Sequence, residues 1–201
     1  MSLVNDDHEE FRNAVRRFTQ EEIEPIASEL DAKNAEIPTE IIQKMAEQGY
    51  FGIVFPEEYD GLGLDNITMA IVAEELSKGW LSVGSVMTRG VIMGTLLMAH
   101  GTEDQKKKYL PGLATGQILP AAAFTEPDSG SDSASMRLKA TKTDGGYLLN
   151  GAKAWCTFAN RSNCLIVLAR TDPDASKRHK GLSIFFVDKE PGEKIDHPNI
   201  K

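Results

Sequence analysis

The chain has 201 residues, 41% of them hydrophobic and 26% charged, and carries a net charge of -8. This is the composition of an ordinary globular protein with room for a real core, in one domain or two small ones. The acidic balance excludes a nucleic-acid backbone as the natural partner, the scattered His8, His100, His179 and His197 show no metal-ligand spacing, and the longest strongly apolar run, residues 91–99, is short of the roughly 20 residues of a membrane span.

Between residues 6 and 33, Phe11, Val15, Phe18, Ile23, Ile26 and Leu30 recur at three- to five-residue steps, which predicts an amphipathic helix. Pro25 should kink it, because proline lacks a backbone donor and crowds the preceding turn. Pro38 suits the first turn of a second helix that buries Ile41, Ile42 and Met45 and stops at Gly49. Residues 49–65, rich in Gly, Pro and aromatics, read as loop. A third helix follows over 66–78. Residues 81–99 are apolar almost all round, the pattern of a helix buried in a bundle. Their one charge is Arg89, which if buried needs a carboxylate, a phosphate or a path to water.

Thr102-Glu103-Asp104-Gln105 has capping-box form and predicts a short helix to about Leu110, before Pro111-Gly112. Its run Lys106-Lys107-Lys108 is a solvated last turn favoured by the helix dipole. After Gln117 short β-branched and aromatic runs take over. Alternation over 136–143, a turn at Asp144-Gly145-Gly146 and a return over 147–149 predict a hairpin. Further strands are expected over 153–158, 164–170 and 182–187, with 172–180 an exposed loop. The fold class is α+β, an all-helical domain over residues 1–118 followed by a small antiparallel β-barrel or sandwich domain over 119–201. Cys156 and Cys164 lie in strand-like segments and no charged-then-apolar leader precedes them, so a reduced, cytoplasmic setting without a disulfide is expected. Residues 1–3 are set aside as a candidate expression scar.

The most informative stretch is Ala121-Ala-Ala-Phe-Thr-Glu-Pro-Asp-Ser-Gly-Ser-Asp132, an apolar strand that breaks at Glu126-Pro127 into a turn-rich loop. Gly130 permits backbone angles closed to other residues, while Ser129, Ser131 and Asp132 can bond the backbone or a ligand. A cofactor shelf and an ordinary strand-to-turn corner both fit these residues.

The same string resembles the first signature of the acyl-CoA dehydrogenase family, a strand ending in Thr-Glu-Pro followed by Gly-Ser-Asp. The similarity extends in order through Gly49-Tyr50-Phe51, Gly61-Leu62-Gly63-Leu64, His100-Gly101-Thr102, Asn150-Gly151 and Trp155-Cys156-Thr157. The resemblance implies FAD as cofactor and dehydrogenation of an acyl-CoA thioester to the 2,3-enoyl-CoA. It places Phe124 and Thr125 at the pyrimidine side of the flavin, and Gly130 and Ser131 near the pyrophosphate and the CoA substrate. It places Trp155, Cys156 and Thr157 at the second flavin segment, with the Thr157 hydroxyl near the hydride-accepting nitrogen. Without it, Trp155 reads as a core aromatic and Thr157 as an edge-strand residue. For Arg89 the resemblance adds contact with the acyl group or its head group as an alternative to an intramolecular ion pair or a snorkelling side chain.

Ala122, Asp128 and Phe158-Ala159 depart from the family's usual residues. The family's C-terminal helical domain, which completes the FAD site, builds the tetramer and usually supplies the catalytic glutamate, has no counterpart in these residues. Glu126 belongs to the loop and is not nominated as base, so the 201-residue chain alone is expected to be inactive. Electron-transfer flavoprotein as acceptor, a homotetramer when full length, and no metal or membrane span complete the expectations. A same-fold flavin oxidase or monooxygenase, and a non-catalytic interaction module, are the alternatives.

Overall fold

The structure is a computed structural model that describes residues 4–192; residues 1–3 and His197 lie outside it. Tertiary contacts divide the chain between Ile118 and Leu119.

The first unit is helical: α1 Asp6–Phe18, α2 Glu24–Ala32, α3 Thr39–Glu47, α4 Asn66–Gly79, α5 Leu81–His100 and α6 Glu103–Ala114. The expected kink at Pro25 takes a specific form. A π-turn over Thr19–Ile23 joins α1 to α2, and the Glu24 amide donates to the Thr19 carbonyl five residues back. The wider turn leaves Pro25 in the first turn of α2, where no N–H is required. Residues 49–65 are loop, but their aromatics are core: Tyr50, Phe51, Ile53 and Phe55 are all buried. Helix α6 runs past Pro111 to Ala114, beyond the expected stop, and its capping box at Thr102 and Gln105 is formed.

Helix α5 is the only one among the described residues long and apolar enough to cross a membrane by length and composition. The strongly apolar core of the sequence understated it, since the helix continues across Gly84 and Gly90 to 20 residues. Val83, Val86, Met87, Met93 and Leu97 are buried, and the helix packs on α4 and α6 of its own unit. Gly84 permits the α4 contact, because a Cβ there would lie 2.0 Å from the Ser77 hydroxyl and 3.0 Å from the Ala73 carbonyl.

Polar groups fix how α1 meets α4. Asn5 and His8 form a capping box at the start of α1; His8 Nε2 also lies 3.1 Å from Asp65, which caps α4 through the Thr68 amide. One residue pair thereby joins two helix N-termini. Further along, the buried Glu75 carboxylate accepts from Arg12 at 2.8 Å, Arg16 at 3.1 Å and Lys78 at 2.9 Å.

The second unit is built on one mixed sheet: β1 Pro120–Ala123, β2 Lys139–Thr143, β3 Gly146–Asn150, β4 Cys164–Arg170 and β5 Leu182–Asp188. Strand β4 pairs with β5 antiparallel along its whole length and with β1 in parallel, Pro120 opposite Cys164 to Ala123 opposite Val167. Strand β2 meets β4 in parallel at Lys139 and Arg170 and forms the expected hairpin with β3. The sheet is therefore mixed and open, with antiparallel pairing in two of its four contacts. Residues 153–158 form no strand. Ala121, Leu138, Ala140, Leu165, Val167 and Ala169 form its buried face. Both cysteines are free.

The Glu75 cluster makes a pH prediction. Burial pushes its carboxyl upward, but Arg16, Lys78 and Arg12 outweigh that and hold it down at about 2, below the ordinary 4.5. A lowered folded-state value means stability that is complete above about 4.5 and withdrawn as the pH falls toward 2. Glu75→Gln is expected to destabilise the protein by about 3 kcal/mol at neutral pH, by stranding three cations, with a deficit that shrinks on acidification. Urea melts of parent and variant across this range check it; a pH-independent deficit would refute the electrostatic account.

Candidate functional site

Strands β1 and β2 lie in succession along the same edge of β4, so the chain between them, residues 124–138, leaves the sheet edge and returns to it. Glu126 closes the neck of this excursion. Its buried carboxylate accepts from the Arg137 amide at 2.7 Å, the Leu138 amide at 2.8 Å and the Lys153 ammonium at 3.0 Å. Lys153 also donates to the Phe124 carbonyl at 3.0 Å. Burial pushes the Glu126 carboxyl up, yet the two amides and Lys153 prevail and keep it below the usual range. For Lys153 burial dominates and draws the ammonium below its ordinary value, with Glu126 restoring part of it. A carboxylate engaged by three donors is a structural clamp.

Beyond the neck, reciprocal backbone bonds between Glu126 and Ser129, at 2.8 and 3.2 Å, tighten the turn. The Ser129 hydroxyl donates to the Asp132 carbonyl at 2.6 Å. Gly130 and Ser131 sit on the exposed rim. Gly130 does not adopt the left-handed angle that the sequence allowed for, and a Cβ there would meet nothing within 4 Å. Neither backbone nor neighbours of this chain require a glycine here.

The second segment lies alongside the first, joined by a bond from the Ala154 amide to the Thr125 carbonyl at 2.9 Å. In place of the expected strand is a tight turn with two non-glycine residues in the left-handed region, Trp155 at φ 58° and Phe158 at φ 65°. Such angles cost on the order of 1–3 kcal/mol each and persist where surroundings over-determine them. Here Ala159, Arg161 and Ser162 amides close the turn on Cys156 and Phe158 carbonyls. Buried Lys189 donates to the Ser162 carbonyl at 2.6 Å. Cys156 packs against the sheet core, which turns its two neighbours outward. Trp155 is 88% exposed, the opposite of a core aromatic. Gly151, at φ 151°, passes so close to the neck that a Cβ would lie 2.7 Å from Leu138 Cα, which accounts for the Asn-Gly before this segment.

Phe124, Thr125, Trp155, Cys156 and Thr157 are thus on two adjoining segments, with Gly130 and Ser131 at the rim of the first. Arg89 belongs to the helical unit, where no ion pair engages it among the described residues. The residue that the sequence did not single out is Lys153. A lone lysine in a stretch read as strand gave no signal; its meaning comes from Glu126, 27 positions away.

The residues present fit a flavin. The Thr125 and Thr157 hydroxyls make no hydrogen bond with the described residues, the indole presents an open apolar face, and the Gly130 rim leaves room for close approach to backbone. Among the described residues no three His, Cys, Asp or Glu side chains gather as a metal site.

Comparison with known proteins agrees with this geometry. Residues 5–117 match the acyl-CoA dehydrogenase N-terminal domain and residues 121–200 the acyl-CoA dehydrogenase middle domain. The chain is 42% identical to (2S)-methylsuccinyl-CoA dehydrogenase of Cereibacter sphaeroides, over 97% of this chain and 35% of that protein. It is 40% identical to mitochondrial isovaleryl-CoA dehydrogenase of Oryza sativa subsp. japonica, over 93% of this chain and 46% of the relative. The crystal structure of acyl-CoA dehydrogenase from Geobacillus kaustophilus superposes with a TM-score of 0.85 at 31% identity, covering 94% of this chain and 49% of that one. The chain spans half or less of the length of these proteins. With both domain matches in order and the two segments side by side, the chain belongs to the acyl-CoA dehydrogenase family.

Proposed function

We propose that this chain is the N-terminal and middle portion of an FAD-dependent dehydrogenase that converts an acyl-CoA thioester to the 2,3-enoyl-CoA. The observation that carries the proposal is the pairing of two unbonded threonine hydroxyls on adjoining segments, beside an outward-facing tryptophan on a strained turn. Strain of this kind at a tight, well-bonded turn points to a geometry kept for a ligand. Bound flavin supplies the hydride acceptor. Thr125 and Thr157 offer it hydroxyl donors, Trp155 offers an apolar plane, and the Gly130-Ser131 rim offers an unobstructed backbone for a pyrophosphate. The Glu126 clamp and the Lys189 contact hold these groups in place before any ligand arrives, so that little ordering is left for the binding step. Transfer of electrons to an electron-transfer flavoprotein and a homotetramer belong to the same proposal on grounds of family membership, and a cytoplasmic setting belongs to it on the ground of the two free cysteines. Light scattering of the full-length protein tests the tetramer.

The full-length protein, loaded with FAD, is expected to lose its visible flavin absorbance on anaerobic mixing with acyl-CoA. A flavin that stays oxidised with thioesters of short, long and branched acyl groups would overturn the proposal. Thr157→Ala in that protein should slow flavin reduction by on the order of 10²-fold, the usual cost of one donor aimed at developing charge. The dissociation constant for acyl-CoA should stay within about threefold of the parent's, as befits an interaction made in the transition state. Stopped-flow reduction at saturating substrate measures it, and an unchanged rate at normal FAD content removes Thr157 from the site.

Gly130→Val separates the cofactor shelf from a plain corner. Since the backbone there is not left-handed and the space around a Cβ is open, the chain itself loses little by the change, and the FAD-stripped melt should match the parent's. FAD occupancy of purified protein should nonetheless fall, because the valine obstructs the ligand's approach. Equal FAD retention in the two proteins would leave the loop as a corner.

A further inference from the structure

We infer that Lys153 is a positioning residue for the flavin. It fixes and polarises the peptide between Phe124 and Thr125, so that the Thr125 N–H donates to bound cofactor and favours its reduced form. The inference rests on the FAD-dependent reading proposed above and adds the residue that tunes the flavin. The Lys153 side chain is 9% exposed, and its ammonium has three donors. They meet the Phe124 carbonyl at 3.0 Å, the Glu126 carboxylate at 3.0 Å and the Met136 sulfur at 3.7 Å. With its donors turned to these groups, Lys153 has none left for a ligand. Its effect on a cofactor passes through what it holds.

What it holds is a peptide unit. No cis bond occurs among the described residues, and in a trans unit the C=O and the following N–H point in opposite directions. With the Phe124 carbonyl drawn to Lys153, the Thr125 N–H is directed to the side away from it. The next carbonyl, that of Thr125, is held by the Ala154 amide at 2.9 Å, so both peptides flanking Thr125 are tied to the second segment. The Thr125 N–H donates to no described residue, although Thr125 is half-buried. Backbone donors withdrawn from water call for an acceptor, and this one is aimed before any ligand arrives.

A cation on a carbonyl draws electron density along the peptide and strengthens the N–H at its other end, by roughly 10–30% per bond in a linked chain. Glu126 keeps that cation charged: burial draws the ammonium down, and the carboxylate works against it. A stronger, pre-aimed donor favours the ligand state that carries more negative charge. For a flavin that state is the reduced one, so the Thr125 N–H separates the two redox states where an apolar packing contact does not.

The reduction potential of the flavin bound to the full-length protein, measured by spectroelectrochemistry without acyl-CoA, tests this. Lys153→Met is expected to lower the ratio of reduced to oxidised flavin at a fixed potential about tenfold, or ~30 mV for a two-electron couple. Lys153→Arg keeps the charge and the donors and should recover most of the shift. A lysine with a structural role alone would weaken FAD retention and the melt and leave the potential unchanged, which would overturn the inference. Hydrogen exchange at the Thr125 amide of the parent needs no variant: FAD should slow it at least tenfold relative to stripped protein. An amide that FAD leaves unprotected overturns the inference even if neither variant folds, and assigns any shift in potential to bare charge. An unchanged potential in a protein whose flavin acyl-CoA still reduces sinks this inference alone. The expected shift and protection, with no reduction by any thioester, sink the proposed reaction and leave the tuning role, whereas failure of the parent to take up FAD sinks both.

Discussion

The site depends first on an ion pair that takes no part in chemistry. Glu126 and Lys153 meet in the interior with almost no solvent on either side chain, and each also binds backbone of the excursion from the sheet edge. Coulomb attraction between buried charges roughly offsets their desolvation, so this pair adds little net stability compared with apolar residues of the same volume. What it adds is position. Backbone at the neck, 124 and 137–138, presents donors and acceptors that the sheet does not satisfy, and an ionic pair can meet several of them at once. Remove the pair and, among the described residues, the two segments of the candidate site would have only the Ala154–Thr125 hydrogen bond between them.

Geometry at the second segment follows from the first. With Lys153 drawn inward to Glu126 and Cys156 packed on the sheet, the residues between and after them have few ways to run. Trp155 takes the left-handed region and points outward as the result. The strain is local, and its restoring contacts, the turn's own amides and Lys189, are all in the same unit. A rigid, solvent-facing indole on a small sheet domain is costly to keep unless something covers it.

The helices were legible because 3.6-residue periodicity and caps are short-range signals: Thr102 and Gln105 declared a terminus, and Ile41, Ile42 and Met45 a buried stripe. Strands β4 and β5 were readable from β-branched runs. The parallel pairing of β1 with β4 was not, since nothing local distinguishes it from antiparallel neighbours. The turn at 155–158 was lost for a related reason: Trp, Cys, Thr and Phe have strand propensity, and tertiary contacts at Lys153 and Lys189 override it. The family signature supplied the site residues where residue chemistry left two readings open. The clamp escaped because its two halves are remote in sequence, and the absence of an ion pair to Arg89 among the described residues is visible only in the folded arrangement.

The π-turn between α1 and α2 has a consequence for the phase of the helix. Val15, Thr19, Ile23 and Ala27 are all buried, each four residues after the last. On a regular α-helix, twelve residues at 3.6 per turn would carry the last of them about 120° around the axis from the first, too far to share one seam. The broader turn in the middle unwinds part of that drift, so a four-residue repeat stays on one side. Pro25 and the repeat therefore solve one another: the imino ring makes a regular turn unfavourable at the place where the apolar spacing needs a wider one.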